Sequence, residues 1–120
     1  MAGRIVLLVE DSDAVRCTFA AVLEDDGHQV IEAASLAESR AVLAASTRDG
    51  VRRRVIEVAI VDLNLPDGLG TTLSTEIRSH HPEAAIVLMS GADPGPAVGA
   101  IDLVVEKGAL PIRSWRWPSA

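Results

Sequence analysis

The chain has 120 residues and a formal net charge of −6, and 48% of its residues are hydrophobic. This length fits one domain with its own core, so we expect a single domain over residues 1–120. The acidic balance argues against nucleic acid as a direct ligand, because phosphate contacts need clustered lysine and arginine. No apolar stretch approaches the roughly 20 residues that cross a bilayer, and the first apolar run is too short for a signal peptide. We therefore expect a cytoplasmic protein that binds neither nucleic acid nor membrane directly.

The chain opens with an apolar run that ends in acidic residues. Ile5–Val9 is unbroken and apolar, which is typical of a strand buried on both faces, and Glu10 and Asp11 follow directly. A helix is predicted over residues 14–26, and Cys17 lies within it with no second cysteine to pair with, so we expect a small core side chain. Four apolar residues recur on the predicted inner face: Val15, Phe19, Val22 and Leu23.

The second strand and helix are shorter, and a break follows them. Residues 28–33 predict a strand near an edge of the sheet, and the capping-box spacing of Ser35 and Glu38 opens a helix that runs through residue 45. Residues 46–57 interrupt this rhythm and include a run of three arginines. We expect a solvated loop or an extension of the helix there rather than a contact with RNA or membrane.

The central strand ends in a single carboxylate. Residues 58–61 are apolar and rich in β-branched side chains, and Asp62 follows them. Pro66, Asp67 and Gly68 supply turn chemistry, so Asp62 is predicted at the carboxyl end of a buried strand, where ligands bind in open α/β sheets. A carboxylate there can bind a metal, act as an acid or base, or serve as a nucleophile, and taken alone Asp62 is better explained as a turn cap.

The third helix is predicted over residues 72–80, with Leu73 and Ile77 facing inward. His80 and His81 are adjacent, so their side chains point in different directions, and no cysteine is near them in the sequence. We expect two exposed histidines at the carboxyl end of the helix, where positive charge is favoured.

Two further strands are predicted, and each is followed by a polar side chain. Residues 84–89 are apolar and precede Ser90, and residues 101–105 end just before Glu106 and Lys107. Between them, residues 92–99 contain two prolines and two glycines, which do not support a regular helix.

Five predicted strands therefore alternate with three well-patterned helices. This order predicts a doubly wound α/β fold with a mostly parallel five-stranded sheet, right-handed crossovers and helices on both faces. The fourth helix is expected to be degenerate, and residues 109–120 are too short for a full fifth one. Because adjacent strand ends meet at one edge, one cleft is expected to collect Glu10, Asp11, Asp62, Ser90 and Lys107.

The chemistry of these five residues is complementary. Crowded carboxylates repel one another, which would raise a pKa or call for a cation. Oxygen ligands with room for water suit Mg²⁺. The ion would neutralise Glu10, Asp11 and Asp62 and let Asp62 attack phosphorus, while Lys107 and Ser90 bind phosphoryl oxygens. Phosphoryl transfer needs little beyond positioning and charge neutralisation. The set predicts an aspartyl phosphate.

Four motifs stand in order at the predicted strand ends: Val9-Glu10-Asp11-Ser12-Asp13, Val61-Asp62-Leu63-Asn64-Leu65-Pro66 with Gly70, Ser90-Gly91, and Lys107. In these motifs the chain resembles the receiver domain of two-component response regulators, with CheY-like architecture, over nearly its whole length. The resemblance implies a flavodoxin-like strand order, 2-1-3-4-5.

The resemblance also implies a role for each site residue. Asp62 would accept a phosphoryl group from a sensor histidine kinase or a phosphotransfer protein. Asp11 and Asp62 would bind Mg²⁺ directly, Glu10 would act through water, and Asn64 would contribute its backbone carbonyl. Ser90 and Lys107 would bind the phosphoryl group and report its presence to a downstream partner.

The chain also departs from the family pattern. Gly108 follows the lysine where proline is common, and Val104 stands where a switch aromatic is usual. The interval from Ser90 to Lys107 is shorter than typical by more than a helical turn. Coupling through an inward-swinging aromatic is therefore not expected in its usual form, and the output face is expected to be altered.

A phosphorylated receiver is the function we expect, and a pseudo-receiver and a phosphatase are the two alternatives. If residues 1–120 are the whole protein, we expect a stand-alone receiver that catalyses only its own phosphorylation and dephosphorylation and acts as a relay, a sink or a docking switch. If they are a fragment, we expect an output domain beyond residue 120. A pseudo-receiver would instead be an interaction module that does not depend on phosphorylation. A phosphatase with an aspartyl intermediate is disfavoured, because Asn64 stands two residues after Asp62, where that chemistry needs an acid.

Overall fold

The computed structural model describes residues 3–48, 51–52, 55–91 and 100–106. Over these residues strands and helices alternate as predicted. The elements are β1 (Ile5–Val9), α1 (Asp13–Asp25), β2 (Gln29–Ala33), α2 (Leu36–Ser46), β3 (Val58–Asp62), α3 (Gly70–His80), β4 (Ala85–Ser90) and β5 (Leu103–Glu106). Two short antiparallel ladders join residues Thr47–Arg48 to Val51–Arg52 and residues Asn64–Leu65 to Gly68–Leu69.

The five long strands form one parallel sheet in the order β2-β1-β3-β4-β5. This confirms the predicted doubly wound fold and its 2-1-3-4-5 order. Every residue of β3 is buried, because the strand lies between β1 and β4 and helices cover both faces. The register pairs Val9 with Val61 and Asp62 with Met89. The carboxyl ends of the three central strands therefore lie side by side.

Alternate residues of the central strands enter two separate cores, one on each face of the sheet. On one face Leu7, Ala59 and Ile86 pack with side chains of α2 and α3. On the other face Val6 and Val58 pack with side chains of α1. Continuous apolar runs are needed in these strands because both faces are covered by helices.

Helix α1 lies one residue earlier than predicted and differs in one core assignment. Leu23 is buried as predicted, but Cys17 is exposed, so its prediction as a core side chain is wrong. The buried residue on this part of the helix is Ala20. Cys17 shares the solvent face with Ala14 and Ala21, which lie three and four residues away from it.

The prediction of two exposed histidines is also wrong for one of them. His80 is exposed, but His81 is only 1% exposed. The helix ends at His80, and the backbone of His81 leaves the helical conformation, so its side chain no longer follows the helical rotation. Its Nδ1 accepts a hydrogen bond from the Ile56 amide at 3.2 Å, and its Nε2 lies 3.0 Å from Ser46 Oγ. His81 therefore connects α2, α3 and the segment that leads into β3.

Several predictions concern residues outside the described ranges. They include the loop-like fourth crossover over residues 92–99, the position of Lys107, the Gly108 departure and the degenerate fifth helix over 109–120. The predicted loop after α2 contains the ladder of Thr47–Arg48 with Val51–Arg52. In the described part of the chain, no helix has the length and apolar character to span a membrane.

Candidate functional site

Three carboxylates meet at the carboxyl edge of the sheet. Glu10 follows β1, Asp11 follows Glu10, and Asp62 ends the neighbouring strand β3. One carboxylate oxygen of each residue lies within 4.8 Å of the corresponding oxygens of the other two. Glu10 is 0% exposed and Asp62 is 4% exposed, whereas Asp11 is exposed. The structure thus brings together the acidic residues that the sequence placed at the ends of separate strands.

Backbone hydrogen bonds hold the loop that carries Glu10. The Glu10 amide donates to the Ala33 carbonyl of β2 at 3.0 Å, and the Ser12 amide lies 3.4 Å from the Glu10 carboxylate. Ser12 also begins α1, because its Oγ accepts a hydrogen bond from the Val15 amide at 3.3 Å. This helix cap therefore fixes the turn beside the acidic group.

Arg16 adds a second constraint on this loop, and the sequence pattern did not reveal it. Its Nη1 donates to the Glu10 carbonyl oxygen at 2.8 Å, and its other guanidinium nitrogens donate to Asp13 and Glu32. The hydrogen bond to Asp13 is the main reason why the pKa of Arg16 lies above its ordinary value. A permanent cation thus anchors the backbone of Glu10 from the side of α1.

Asp62 is held by its strand and by the loop that follows it. Its Oδ1 accepts a hydrogen bond from the Asn64 amide at 3.3 Å. The Leu63 amide donates to the Met89 carbonyl at 2.7 Å, and the Gly70 amide donates to the Leu63 carbonyl at 2.8 Å. A Cβ on Gly70 would lie 2.2 Å from the Asp62 carbonyl oxygen, so α3 begins in direct contact with the Asp62 backbone. Only glycine permits this approach.

Ser90 lies at the end of β4, one residue beyond the partner of Asp62 in the register. It is 4% exposed. Its partner on β5 is Glu106, so Lys107 follows in the chain directly after the residue paired with Ser90. Lys107 itself lies outside the described residues. Asn64 is exposed at the start of the short ladder after Asp62.

The donor set fits a hard divalent cation. Glu10, Asp11 and Asp62 offer carboxylate oxygens alone, and such ligands suit Mg²⁺, Mn²⁺ or Ca²⁺ rather than Zn²⁺. The exposed Asp11 leaves one side of the group open to water, which Mg²⁺ retains in its coordination shell. A cation would also offset the mutual repulsion of three close carboxylates.

A fourth acidic residue, Asp67, extends from the Asp62 loop to a helix. Its Oδ1 accepts a hydrogen bond from the Leu36 amide at 2.8 Å, and its Oδ2 accepts one from the Ala37 amide at 3.0 Å. These two amides hold the pKa of Asp67 below its ordinary value. The sequence indicated only a turn residue here. The sequence contained one indication of this contact. The capping box at Ser35 provides an acceptor for the Glu38 amide but none for the amides of Leu36 and Ala37, so these two need an acceptor from elsewhere in the chain.

Comparisons with known proteins agree with this site and fold. The family model described as response regulator receiver domain matches residues 6–106. The KDP operon transcriptional regulatory protein KdpE of Escherichia coli K12 is 35% identical over 97 residues, which are 81% of this chain and 40% of KdpE. The sensor kinase CckA of Brucella abortus is 34% identical over 86 residues, which are 72% of this chain and 8% of CckA.

A solved structure shows the same fold with a modified aspartate. It is a response regulator from Burkholderia pseudomallei with a phosphorylated aspartic acid, a calcium ion and citrate. It aligns with a TM-score of 0.76 at 26% identity, over 89% of this chain and 61% of that chain. This chain spans less than half the length of the two curated relatives named above. From the family match, the relatives and the fold, the chain belongs to the response-regulator receiver family, the phosphoacceptor domains of two-component signalling.

Proposed function

We propose that Asp62 is the phosphoacceptor of this receiver domain and that Mg²⁺ supports the transfer. The supporting observation is the group formed by Glu10, Asp11 and Asp62, whose carboxylate oxygens lie within 4.8 Å of one another at the edge of the sheet. Asp62 is the member of this group that ends the fully buried central strand. Its carboxylate is therefore held at a fixed position, as phosphoryl transfer requires.

The proposed reaction moves one phosphoryl group from a histidine to an aspartate. An Asp62 carboxylate oxygen forms a bond to phosphorus, the bond between phosphorus and the donor imidazole nitrogen breaks, and that nitrogen keeps the electron pair. The donor is a sensor histidine kinase or a phosphotransfer protein. The phosphoryl groups of such donors derive from ATP, so we place the reaction in the cytoplasm. The receiver then signals to a downstream protein.

One set of site residues would bind the metal, and another would bind the phosphoryl group. Asp11 and Asp62 would bind Mg²⁺ directly, Glu10 through water, and Asn64 through its backbone carbonyl. When bound, Mg²⁺ would neutralise the carboxylates and the phosphoryl oxygens. Glu10 suits an indirect role, because its side chain is fully buried and its carboxylate faces the Ser12 amide.

Ser90 and Lys107 would bind the incoming phosphoryl oxygens. The position of Ser90 supports this role, because its strand is the direct neighbour of β3 and the residue is buried at the edge where Asp62 lies. Its hydroxyl would donate a hydrogen bond, and the Lys107 ammonium would supply a point charge. We propose that residues 1–120 form one such domain, which acts as a switch and catalyses only its own phosphorylation and dephosphorylation.

Intact-mass spectrometry after incubation with acetyl phosphate and Mg²⁺ tests this proposal. We expect one phosphoryl adduct on the wild-type chain, none on Asp62→Asn, and none when EDTA removes the metal. Asp26→Asn is the matched control, because it changes an exposed carboxylate at the far end of α1 and should leave the adduct intact.

Two results would overturn the proposal. An adduct that persists on Asp62→Asn would assign the phosphoryl group to another residue. No adduct on the wild-type chain, together with no binding of Mg²⁺, would favour a pseudo-receiver that acts without phosphorylation.

A further inference from the structure

The start of α2 depends on a residue from the loop that carries Asp62. Four amides lie at this end of the helix, and each has a hydrogen-bond acceptor. The amides of Glu38 and Ser39 donate to the Oγ and the carbonyl oxygen of Ser35. The amides of Leu36 and Ala37 donate to the two carboxylate oxygens of Asp67, about thirty residues away in the chain. The amino-terminal end of α2 is therefore capped by two residues, the adjacent Ser35 and the distant Asp67.

The loop that follows Asp62 forms a short hairpin over residues 64–69. Its ladder pairs Asn64 with Leu69 and Leu65 with Gly68, which places Asp67 at the tip. Gly68 has φ of +153°, and a Cβ there would lie 2.5 Å from the Leu36 Cδ1 atom. The hairpin thus packs against the first residue of α2 as well as capping it. A displacement at one end of so short a ladder is passed to the other end.

The other end of the hairpin is bonded to the Asp62 side chain. The Asn64 amide donates to Asp62 Oδ1 at 3.3 Å. The strength of the hydrogen bond that holds the first residue of the ladder therefore depends on the charge of that carboxylate. Conversion of the carboxylate to an acyl phosphate would leave a neutral carbonyl or an ester oxygen in its place. Such oxygens are weaker acceptors than a carboxylate. A change at Asp62 therefore reaches the ladder through a hydrogen bond that already exists.

We infer that Asp67 is a positioning residue that couples the state of the Asp62 carboxylate to the amino-terminal turn of α2. The inference rests on the proposed function, since it concerns the same carboxylate. Coupling between two sites is reciprocal. If a ligand at Asp62 changes the stability of the Asp67 cap by some factor, then loss of the cap changes the affinity for that ligand by the same factor. The amino-terminal turn of α2 would then change its conformation on phosphorylation, in addition to any change at Ser90 and Lys107.

Amide hydrogen exchange measured by NMR tests the coupling. The probe is Mg²⁺ with beryllofluoride, which imitates a phosphoryl group on a carboxylate. We expect it to change the exchange rates of the Leu36 and Ala37 amides at least about fivefold in the wild-type chain. In Asp67→Asn this response should vanish, and the affinity for the probe should change by a similar factor.

Ser35→Ala is the matched control, because it removes the other cap of the same helix and leaves the Asp62 loop untouched. Both variants should lower the thermal midpoint, but Ser35→Ala should keep the response to the probe and the affinity for it. Equal losses in both variants, or an unchanged response in Asp67→Asn, would overturn the inference alone. Failure of the wild-type chain to bind the probe would overturn the proposed function together with the inference.

Discussion

The contact between Gly70 and the Asp62 backbone predicts a large effect from one added methyl group. In Gly70→Ala the new Cβ would lie 2.2 Å from the Asp62 carbonyl oxygen, 2.9 Å from Val61 Cγ1 and 3.0 Å from the Asp62 carbonyl carbon. The two Asp62 atoms belong to the backbone of the central strand, so no side-chain rotation relieves the overlap. Either α3 moves away from the sheet or the end of β3 is displaced.

Two opposing effects determine the change in stability. Alanine is favoured over glycine within helices by about 1 kcal/mol, but Gly70 is the first residue of α3 and gains only part of this. Overpacking in a dense core costs about 1–3 kcal/mol. We therefore expect a net loss of about 1–2 kcal/mol in the free energy of unfolding. Displacement of the carboxylate by about 1 Å would slow its phosphorylation about a hundredfold.

Urea unfolding and the rate of adduct formation with acetyl phosphate measure the two effects. Gly91→Ala is the control, because Gly91 also follows a strand at this edge of the sheet and a Cβ there would meet nothing within 4 Å. It should leave stability and rate near the wild-type values. Wild-type stability and rate in Gly70→Ala would refute the steric reasoning, and so would equal losses in both variants.

Two further predictions follow from hydrogen bonds made by single side chains. The pKa of Asp67 is lowered by the amides it caps, so its stabilising effect is complete above the unfolded pKa of about 4 and is lost as the pH falls through the folded value. Chemical unfolding between pH 2.5 and 7, in about half-unit steps, should show a shallower acid loss for Asp67→Asn than for the wild type, and identical slopes would contradict this. His81→Phe should lower the free energy of unfolding by about 1–3 kcal/mol, because the buried Ile56 amide loses its acceptor. The exposed His80→Phe serves as its control, and equal small effects in both variants would contradict the assigned hydrogen bond.

The sheet and the acidic group could be predicted because their signals are local. The apolar runs of β1 and β3 identify strands buried on both faces, and the residue after each run is thereby placed at one edge of the sheet. The proximity of Glu10, Asp11 and Asp62 follows from that rule together with the pairing of adjacent strands.

The features that sequence reasoning missed depend on contacts between distant residues. The capping of α2 by Asp67 joins residues thirty positions apart, and no periodic pattern records such a bond. His81 follows the last helical residue, where a helical projection no longer gives the direction of a side chain. Cys17 was assigned to the core because it lies within a helical pattern, although Ala14 and Ala21, on the same face of the helix, are exposed. For Asp67 and His81, tertiary packing rather than local pattern decides the environment, whereas the exposure of Cys17 agrees with the helical pattern of α1.

The burial of the acidic group bears on the choice between a phosphorylated receiver and a pseudo-receiver. Removing a carboxylate from water is costly unless hydrogen bonds or a cation compensate for the lost solvation. Glu10 and Asp62 are almost fully buried, and Asp11 lies close to both. A module that only docked to a partner would gain stability from apolar residues at the two buried positions. The three close carboxylates at one edge of the sheet therefore favour a site that binds a cation and carries out phosphoryl transfer.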